Sequence, residues 1–362
     1  MTELEKARGI INDIDKQMAA LFEKRMEAAK AVAQYKRFHG LQVTDLQREA
    51  EIIKKNSEYI ENEDLKSYYI NFLQSNMDIS KSYQHRILEG MRVAFSGVEG
   101  AFANIAANRV FPAAKAVPYS DFKQAYNSVV EGVCDCVILP IENSFNGDVG
   151  QVMDLAFFGP LYINGIYDIG VIQNLLAVKG TTLDEVKQVI SHPQALGQCA
   201  KYIKEHKFEP IEAVNTAVAA KQVAEMGRHD IAAIGSDEAA EKYGLKKLEA
   251  HINDSNNNTT RFAVFSRSAK TPSGDDNHFI MTFTVTNEAG SLGKAISIIG
   301  ENGFNLKALK SRPTKELIWN YYFFAEGEGN INSPEGIKML EELKEKCSEI
   351  RVIGSFEKEI YL

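Results

Sequence analysis

The 362-residue sequence predicts a multidomain protein: an all-α bundle, then a two-lobed α/β region, then an α+β tail on the ferredoxin-like plan. Three changes of rhythm predict it. Apolar residues keep a 3,4 spacing over residues 3–38, short apolar strands alternate with helices from Arg92 to about 267, and the order βαββαβ closes the chain over 279–356. With 44% hydrophobic and 25% charged residues, the composition is that of a globular protein. Forty-one basic against 49 acidic residues give a net charge of −8, which disfavours a nucleic-acid partner. No apolar run approaches the roughly 20 residues that span a bilayer, and the charged start has no signal-peptide core. A cytoplasmic location and no membrane partner are therefore expected.

In the first segment Leu4, Ala7, Ile11, Ile14, Met18, Leu21, Arg25, Ala28, Val32 and Tyr35 form the seam of a coiled coil. A helix of this length reaches about 50 Å. The helical stretches at 44–56 and 63–84 are too short to cover it, so a dimer of intertwined helices is expected. Arg25 stands where the seam asks for an apolar residue, and a buried charge needs a partner or a ligand. Lys36 follows three turns later on nearly the same line, while Arg8 lies about 100° off it, placed to serve another subunit's pocket. Asp45, Arg48 and Glu49 share one face of the second helix, and Ser80 and Gln84 share a face of the third. By spacing alone, ordinary salt bridges and one register-fixing polar residue explain the set equally well.

The strand candidates of the middle region are RVAFSG, KAVPY, CDCVILP, VKQVIS, IAAIGS and TRFAVFS, with helices near 121–131, 194–206 and 216–226, and the sheet is expected to be largely parallel. Cys134 and Cys136 alternate onto one face. Without a second pair they read as buried thiols rather than metal ligands. Ser191-His192-Pro193-Gln194, Asn215-Thr216 and Gly235-Ser236 each open a helix after a strand, and such N-termini either bind anions or serve as ordinary caps. The polar stretch 266–277 reads as a linker. Beyond it lie a strand at 279–286, a helix at 291–302, strands at 304–310 and 318–326, a helix at 334–347 and a strand at 350–356.

Specific motifs add a resemblance at each segment. ARGIINDID, FEKRMEAAKAVAQYK, VTDLQRE and SKSYQ make residues 1–90 similar to an all-helical chorismate mutase. That resemblance implies that Arg8 of a partner chain and Arg25 bind substrate carboxylates. It sets Lys36 and Gln84 against the ether oxygen and Asp45 and Glu49 against the hydroxyl, with Arg48 and Ser80 completing the pocket. A pericyclic rearrangement needs a compressed conformer and fixed donors for the breaking C–O bond, with no nucleophile, metal or other cofactor.

GVEGAFANIAA, PIENSFNGDV, SHPQALGQC and NNTTRFAVF make residues 91–267 resemble a prephenate dehydratase, whose two periplasmic-binding-protein-like lobes hold the active site between them. The resemblance implies Thr260 as the essential donor and Arg261 as a carboxylate holder, with Asn143, Ser191 and Gln198 beside them. Ala103 departs from a hydroxyl residue common in the family. His192 is tempting as an acid, but its position favours a structural role.

The tail, 278–357, resembles an ACT regulatory domain. This implies a phenylalanine site at Gly290, Ser291, Leu292, Asn305, Ser311, Arg312 and Pro313, although Ser291 and Lys310 depart from the usual Gly-Ala-Leu and Glu-Ser-Arg-Pro wording. The order of segments resembles the bifunctional enzymes of phenylalanine biosynthesis, with chorismate and prephenate as substrates, phenylalanine as effector and a homodimer or higher oligomer as assembly. A dehydrogenase fusion would need a dinucleotide turn, and the chain offers only Gly97-Val98-Glu99-Gly100. A binding protein that merely captures an amino acid in the cleft is disfavoured by the Thr-Arg-Phe motif. An arogenate dehydratase stays open.

Overall fold

A computed structural model describes residues 2–255, 257–313 and 321–362. These fall into two compact units, one comprising the chain to Arg92 with Gly132–Asp135, the other Val93–Glu131 with Cys136–Leu362.

The first unit is built from α1 (Glu3–Phe38), α2 (Leu46–Ser57) and α3 (Glu63–Glu89). A capping box starts α1: Thr2 Oγ1 accepts from the Glu5 amide, and the Glu5 carboxylate accepts from the Thr2 amide. Asp45 and Asn62 cap α2 and α3 with single bonds, accepting from the amides of Arg48 and Asp64. Both α1 and α2 pack on α3. The buried residues of α1 are Met26, Ala29 and Ala33, one position on from the seam residues 25, 28 and 32 and confined to its C-terminal half. Leu4, Ile11, Ile14, Met18 and Leu21 stay exposed, so none of the described residues covers the first half of the seam.

The second unit opens with β1 (Arg92–Ser96), α4 (Phe102–Val110), β2 (Lys115–Tyr119), α5 (Phe122–Val130), β3 (Cys136–Asn143), β4 (Gly147–Asp148), α6 (Gly150–Phe158) and β5 (Tyr162–Gly170). A second lobe follows: β6 (Asn174–Ala177), β7 (Gln188–Ser191), α7 (Pro193–Gln198), α8 (Ala200–Glu205), β8 (Glu209–Glu212), α9 (Thr216–Met226), β9 (Ile231–Gly235), α10 (Asp237–Tyr243) and β10 (Lys246–Glu249). The chain then returns through β11 (Thr259–Ser266). The tail adds β12 (His278–Val285), α11 (Ser291–Glu301), β13 (Asn305–Pro313), β14 (Tyr321–Glu328), α12 (Pro334–Lys344), β15 (Cys347–Phe356) and β16 (Ile360–Tyr361).

The lobes hold separate sheets, and neither is largely parallel as expected. In the first, β1 pairs with β3 in parallel, but β11 runs antiparallel to both β3 and β5. The cause is the connection: the chain leaves this lobe along β5 and re-enters it from the second lobe, so the returning strand must run the other way. The second sheet, β10-β6-β9-β7-β8, mixes parallel pairs with antiparallel edges. Val93, Phe95, Ile138, Leu139, Ile163, Ile166 and Phe265 are fully buried in the first lobe, on the two faces of its sheet.

The tail has strand order β13-β14-β12-β15, the ferredoxin-like arrangement. The expected strand at 318–326 is β14 from Tyr321, and residues 318–320 lie outside the described residues. The helix expected at 194–206 breaks at Cys199 into α7 and α8, where Asp254 accepts from the Lys201 amide. The stretch 266–277 is not a free linker. Asp276 is buried within it and accepts from the Ser273 amide and the Ser355 hydroxyl, both at 3.1 Å. The tail therefore does not hang free from the two lobes but extends the sheet of the first, through β15 beside β5.

That join rests on one glycine. Gly354 pairs with Ile163, and a Cβ placed on it would lie 2.7 Å from the Ile163 carbonyl oxygen. Gly354→Ala should force the strands apart and destabilise the second unit by about 1–3 kcal/mol, measured as a lower urea midpoint against the wild type.

Candidate active sites

The helical unit encloses a cavity of about 380 Å³ lined by Arg25, Lys36, Asp45, Arg48, Glu49, Lys81, Ser80 and Gln84, with an apolar wall of Ala28, Ala29, Val32, Val43, Ile52 and Met77. Seven of the eight residues expected from sequence thus meet in one place. The eighth, Arg8, sits 17 residues before Arg25 on α1, about 25 Å away along the helix axis, and cannot reach this cavity from its own chain.

The cations are held in place. Arg25 Nη1 donates to the Asn76 carbonyl at 3.1 Å and to Ser80 Oγ, and Lys36 Nζ donates to the Val43 carbonyl at 2.7 Å. Burial draws the Arg25 guanidinium below its ordinary value. Lys81, which sequence reasoning missed, lies 3.0 Å from both Glu49 and Asp78. Burial opposes its charge, but hydrogen bonds to Asp78 and Glu49 prevail and hold it above the ordinary lysine value. Four cations face two carboxylates, Asp45 and Glu49, across the cavity. Gln84 is buried with its Oε1 unpartnered, a cost that a ligand donor would relieve.

A second cavity, about 610 Å³, lies between the two lobes. Strand alternation decides what faces it. Thr260 and Phe262 on β11 line it, and Arg261 between them does not. Asn143, at the end of β3 and paired in register with Thr260, is the hub. Its Oδ1 accepts from the amides of Phe145 and Asn146, both at 3.0 Å, which fixes the amide's orientation. Its Nδ2 donates to Thr260 Oγ1 at 2.9 Å and to Asn258 Oδ1 at 3.0 Å. The Thr260 oxygen is thereby an acceptor, which leaves its own proton to donate into the cavity.

The N-termini of α4, α6, α7 and α9 also contribute, through Ala101, Gly150, Gln194 and Thr216 with their neighbours. His192 and Asn215 cap two of these helices, whereas Ser236, expected at a third such junction, lies outside the lining. Among the lining residues there is no lysine or arginine; the ionisable ones are Asp148 and His192. Burial lowers the His192 pKa, with Glu212 opposing, which favours the neutral ring. Gln198 lines the wall beside Gln173, whose Nε2 donates to Gln198 Oε1 at 3.3 Å.

Two expectations need correction. Ser191 is fully buried and donates to the Ile234 carbonyl at 2.6 Å, so it supports β7 against β9 and does not reach the cavity. Arg261 points to the opposite face of β11 and is consumed by carboxylates there.

The comparisons bear directly on these two cavities. A prephenate dehydratase family model matches residues 93–270, and a chorismate mutase type II model matches residues 7–85. A bifunctional chorismate mutase/prephenate dehydratase of Aquifex aeolicus is 30% identical over 369 aligned positions, covering 99% of each chain. The chain belongs to the bifunctional chorismate mutase/prephenate dehydratases. An arogenate dehydratase/prephenate dehydratase of Arabidopsis thaliana is 32% identical over 277 positions, 74% of this chain and 72% of its own. Among solved structures, a prephenate dehydratase from Arthrobacter aurescens in complex with L-Phe superposes with a TM-score of 0.69 at 25% identity, covering 75% of this chain and 90% of its own.

In the dehydratase portion, Arg261 lies in a buried ionic knot that ties β11 to the ferredoxin-like tail. Its guanidinium meets Glu142 at 3.3 Å, Asp168 at 3.6 Å, Glu326 at 2.6 Å and also Glu359. Glu326 also accepts from His278 Nε2 at 2.8 Å. Burial opposes its charge, but His278 and Arg261 outweigh that and hold its carboxyl below the ordinary value. Burial raises Asp168 in spite of Arg261. Neither Gln173 nor Lys81 carried a signal in the sequence, since a lone amide or lysine becomes visible only when the fold brings its neighbours together.

Because the folded Glu326 carboxyl is depressed, its contribution to stability is complete above the ordinary glutamate pKa of about 4.3 and is lost as pH falls through the lower folded value. Glu326→Gln should therefore lower the melting temperature at neutral pH, with a stability loss below the roughly 3–5 kcal/mol of a fully unpaired buried charge, because Glu142, Asp168 and Glu359 still face Arg261. It should also flatten the acid limb of the melting-temperature profile.

Proposed function

We propose that the helical cavity performs the chorismate rearrangement by holding a dianion among fixed cations. Four cations against two carboxylates in a partly apolar cavity is the observation that carries this reading. Arg25 takes a substrate carboxylate, Arg8 from a second copy takes another, and Lys36 with Gln84 meets the ether oxygen as the C–O bond breaks. Asp45 and Glu49 receive the hydroxyl, while Arg48 and Ser80 complete the wall. The uncovered half of α1 and the distance of Arg8 from its own cavity both support a homodimer paired along this helix. Light scattering on the full chain should report at least a dimer.

The cleft between the lobes then takes prephenate to phenylpyruvate. Hydroxide leaves the ring as the bond to the ring carboxylate breaks; that electron pair enters the ring, which becomes aromatic as carbon dioxide departs. Thr260 donates to the leaving oxygen, and Asn143 aims it. With no lysine or arginine in the lining, the helix N-termini receive the substrate's carboxylates. Gln198 and Gln173 supply side-chain donors. His192 is a neutral cap and wall residue.

The tail reads as an ACT domain with phenylalanine as effector. Gly290–Leu292 and Ser311–Pro313 lie at the same end of its sheet, because Arg312 aligns with Tyr322 and Tyr322 with Thr284 near the end of β12. Asn305 begins β13 at the opposite end, in register with Glu328, so within one chain it cannot join the other six. Arg312 is held by Asp154 through two hydrogen bonds of 2.7 and 3.1 Å. The Arthrobacter complex with L-Phe supports the choice of effector. Four buried free thiols are in keeping with a reducing cytosol.

Reciprocal loss is the decisive experiment. Thr260→Val should reduce phenylpyruvate formation by about 10²–10³-fold, the usual effect of losing one transition-state donor, with chorismate consumption unchanged. Lys36→Ala should do the converse, abolishing the mutase while added prephenate is still consumed. Loss of both activities in either variant would break the assignment of one cavity to each reaction. Phenylalanine should lower dehydratase turnover and raise the melting temperature.

A further inference from the structure

The reading of the interlobe cleft as the dehydratase site leaves Lys310 unexplained. It lies on β13 in the tail, where the family wording has an acid, and the dehydration chemistry makes no use of it. Its ammonium nevertheless sits 2.9 Å from Glu142 and 2.5 Å from Asp148, with the lysine side chain only 17% exposed. Glu142 and Asp148 are register partners across the β3–β4 hairpin, and the neighbouring pair in that hairpin is Asn143 with Gly147. Like charges directly opposite on paired strands repel. Glu142 has a second cation in Arg261. Among the described residues, Lys310 is the cation within ion-pair reach of Asp148.

Three of these facts bear on the cleft. Asn143, Gly147 and Asp148 are all among its lining residues, Asn143 orients the Thr260 hydroxyl, and Asp148 is the one acidic residue of that lining. We propose that Lys310, reaching from the regulatory-type tail, is a positioning residue for the dehydratase: it clamps the β3–β4 hairpin and neutralises Asp148, so that a dianionic substrate can enter. This rests on the assignment of the cleft to prephenate. The charge reversal at position 310 then has a physical role. An acid there would add a third negative charge to Glu142 and Asp148, whereas lysine closes the pair. The same contact makes the tail part of the cleft wall's support, so any movement of β13 is felt at Asn143.

The test uses the full chain and steady-state kinetics with added prephenate. Lys310→Met should raise KM for prephenate roughly tenfold, the effect of one uncompensated charge near an anion, with a much smaller change in kcat. Lys310→Arg should stay close to wild type. Adding Asp148→Asn to Lys310→Met should return KM most of the way to wild type, because the offending charge is gone. A stability effect alone would not be rescued in this way. If KM is unchanged in Lys310→Met, or if Asp148→Asn gives no rescue, the proposal fails. Wild-type prephenate turnover that does not depend on Thr260 would instead overturn the site assignment beneath it, so the two failures read differently.

Discussion

The α/β unit depends on one strand facing two ways. Strand β11 lies between β3 and β5, and the pleat sends Thr260 and Phe262 into the cleft and Arg261 to the other side. There a single guanidinium meets Glu142, Asp168, Glu326 and Glu359, which come from β3, β5, β14 and the C-terminal segment. A charge so enclosed is tolerable only with its partners in place. The Thr260 hydroxyl and the ionic knot therefore occupy consecutive residues. Shifting the register of β11 by one would put the arginine in the cleft and the threonine in the knot.

The two sites meet one problem in different ways. Each family substrate carries two carboxylates. The helical cavity offers them Arg25, Lys36, Arg48 and Lys81, side chains whose long stems also supply packing surface. The cleft offers helix N-termini and amides, fixed dipoles that carry no net charge.

Much of this was legible in the chain, and what was not has identifiable causes. The 36-residue α1 was legible from the 3,4 spacing of its apolar residues. Seven residues that the mutase resemblance implied line one cavity, which helix periodicity permits because it converts spacing into direction. Thr260 and Arg261 were both assigned by motif, and strand alternation admits only Thr260 to the cleft. Adjacent residues in a strand cannot both face one cleft. Ser191 misled for a related reason, since the last residue of a buried strand is as often bonded inward as displayed. The mixed sheet was unreadable because a strand's direction depends on where the chain has been, not on its composition. Ferredoxin-like order was clear; the fusion of that sheet to β5 was not, because one glycine opposite Ile163 carries it.

The join between β15 and β5 separates the architecture of the gene from that of the molecule. In sequence, the tail looks detachable: a polar stretch, then a complete βαββαβ module. In space, β15 and β16 occupy the outer side of β5, which would otherwise be the rim of the first-lobe sheet. Cutting the chain at 277 would leave a nine-residue rim with unmet backbone donors and acceptors, ready to recruit any extended segment nearby. It would also remove two of Arg261's acidic partners, Glu326 and Glu359, and one of its own neighbours in the ladder would face water. Domain-shuffling at this boundary thus carries a cost that the sequence conceals, and a shortened protein would be prone to self-association long before its chemistry could be judged.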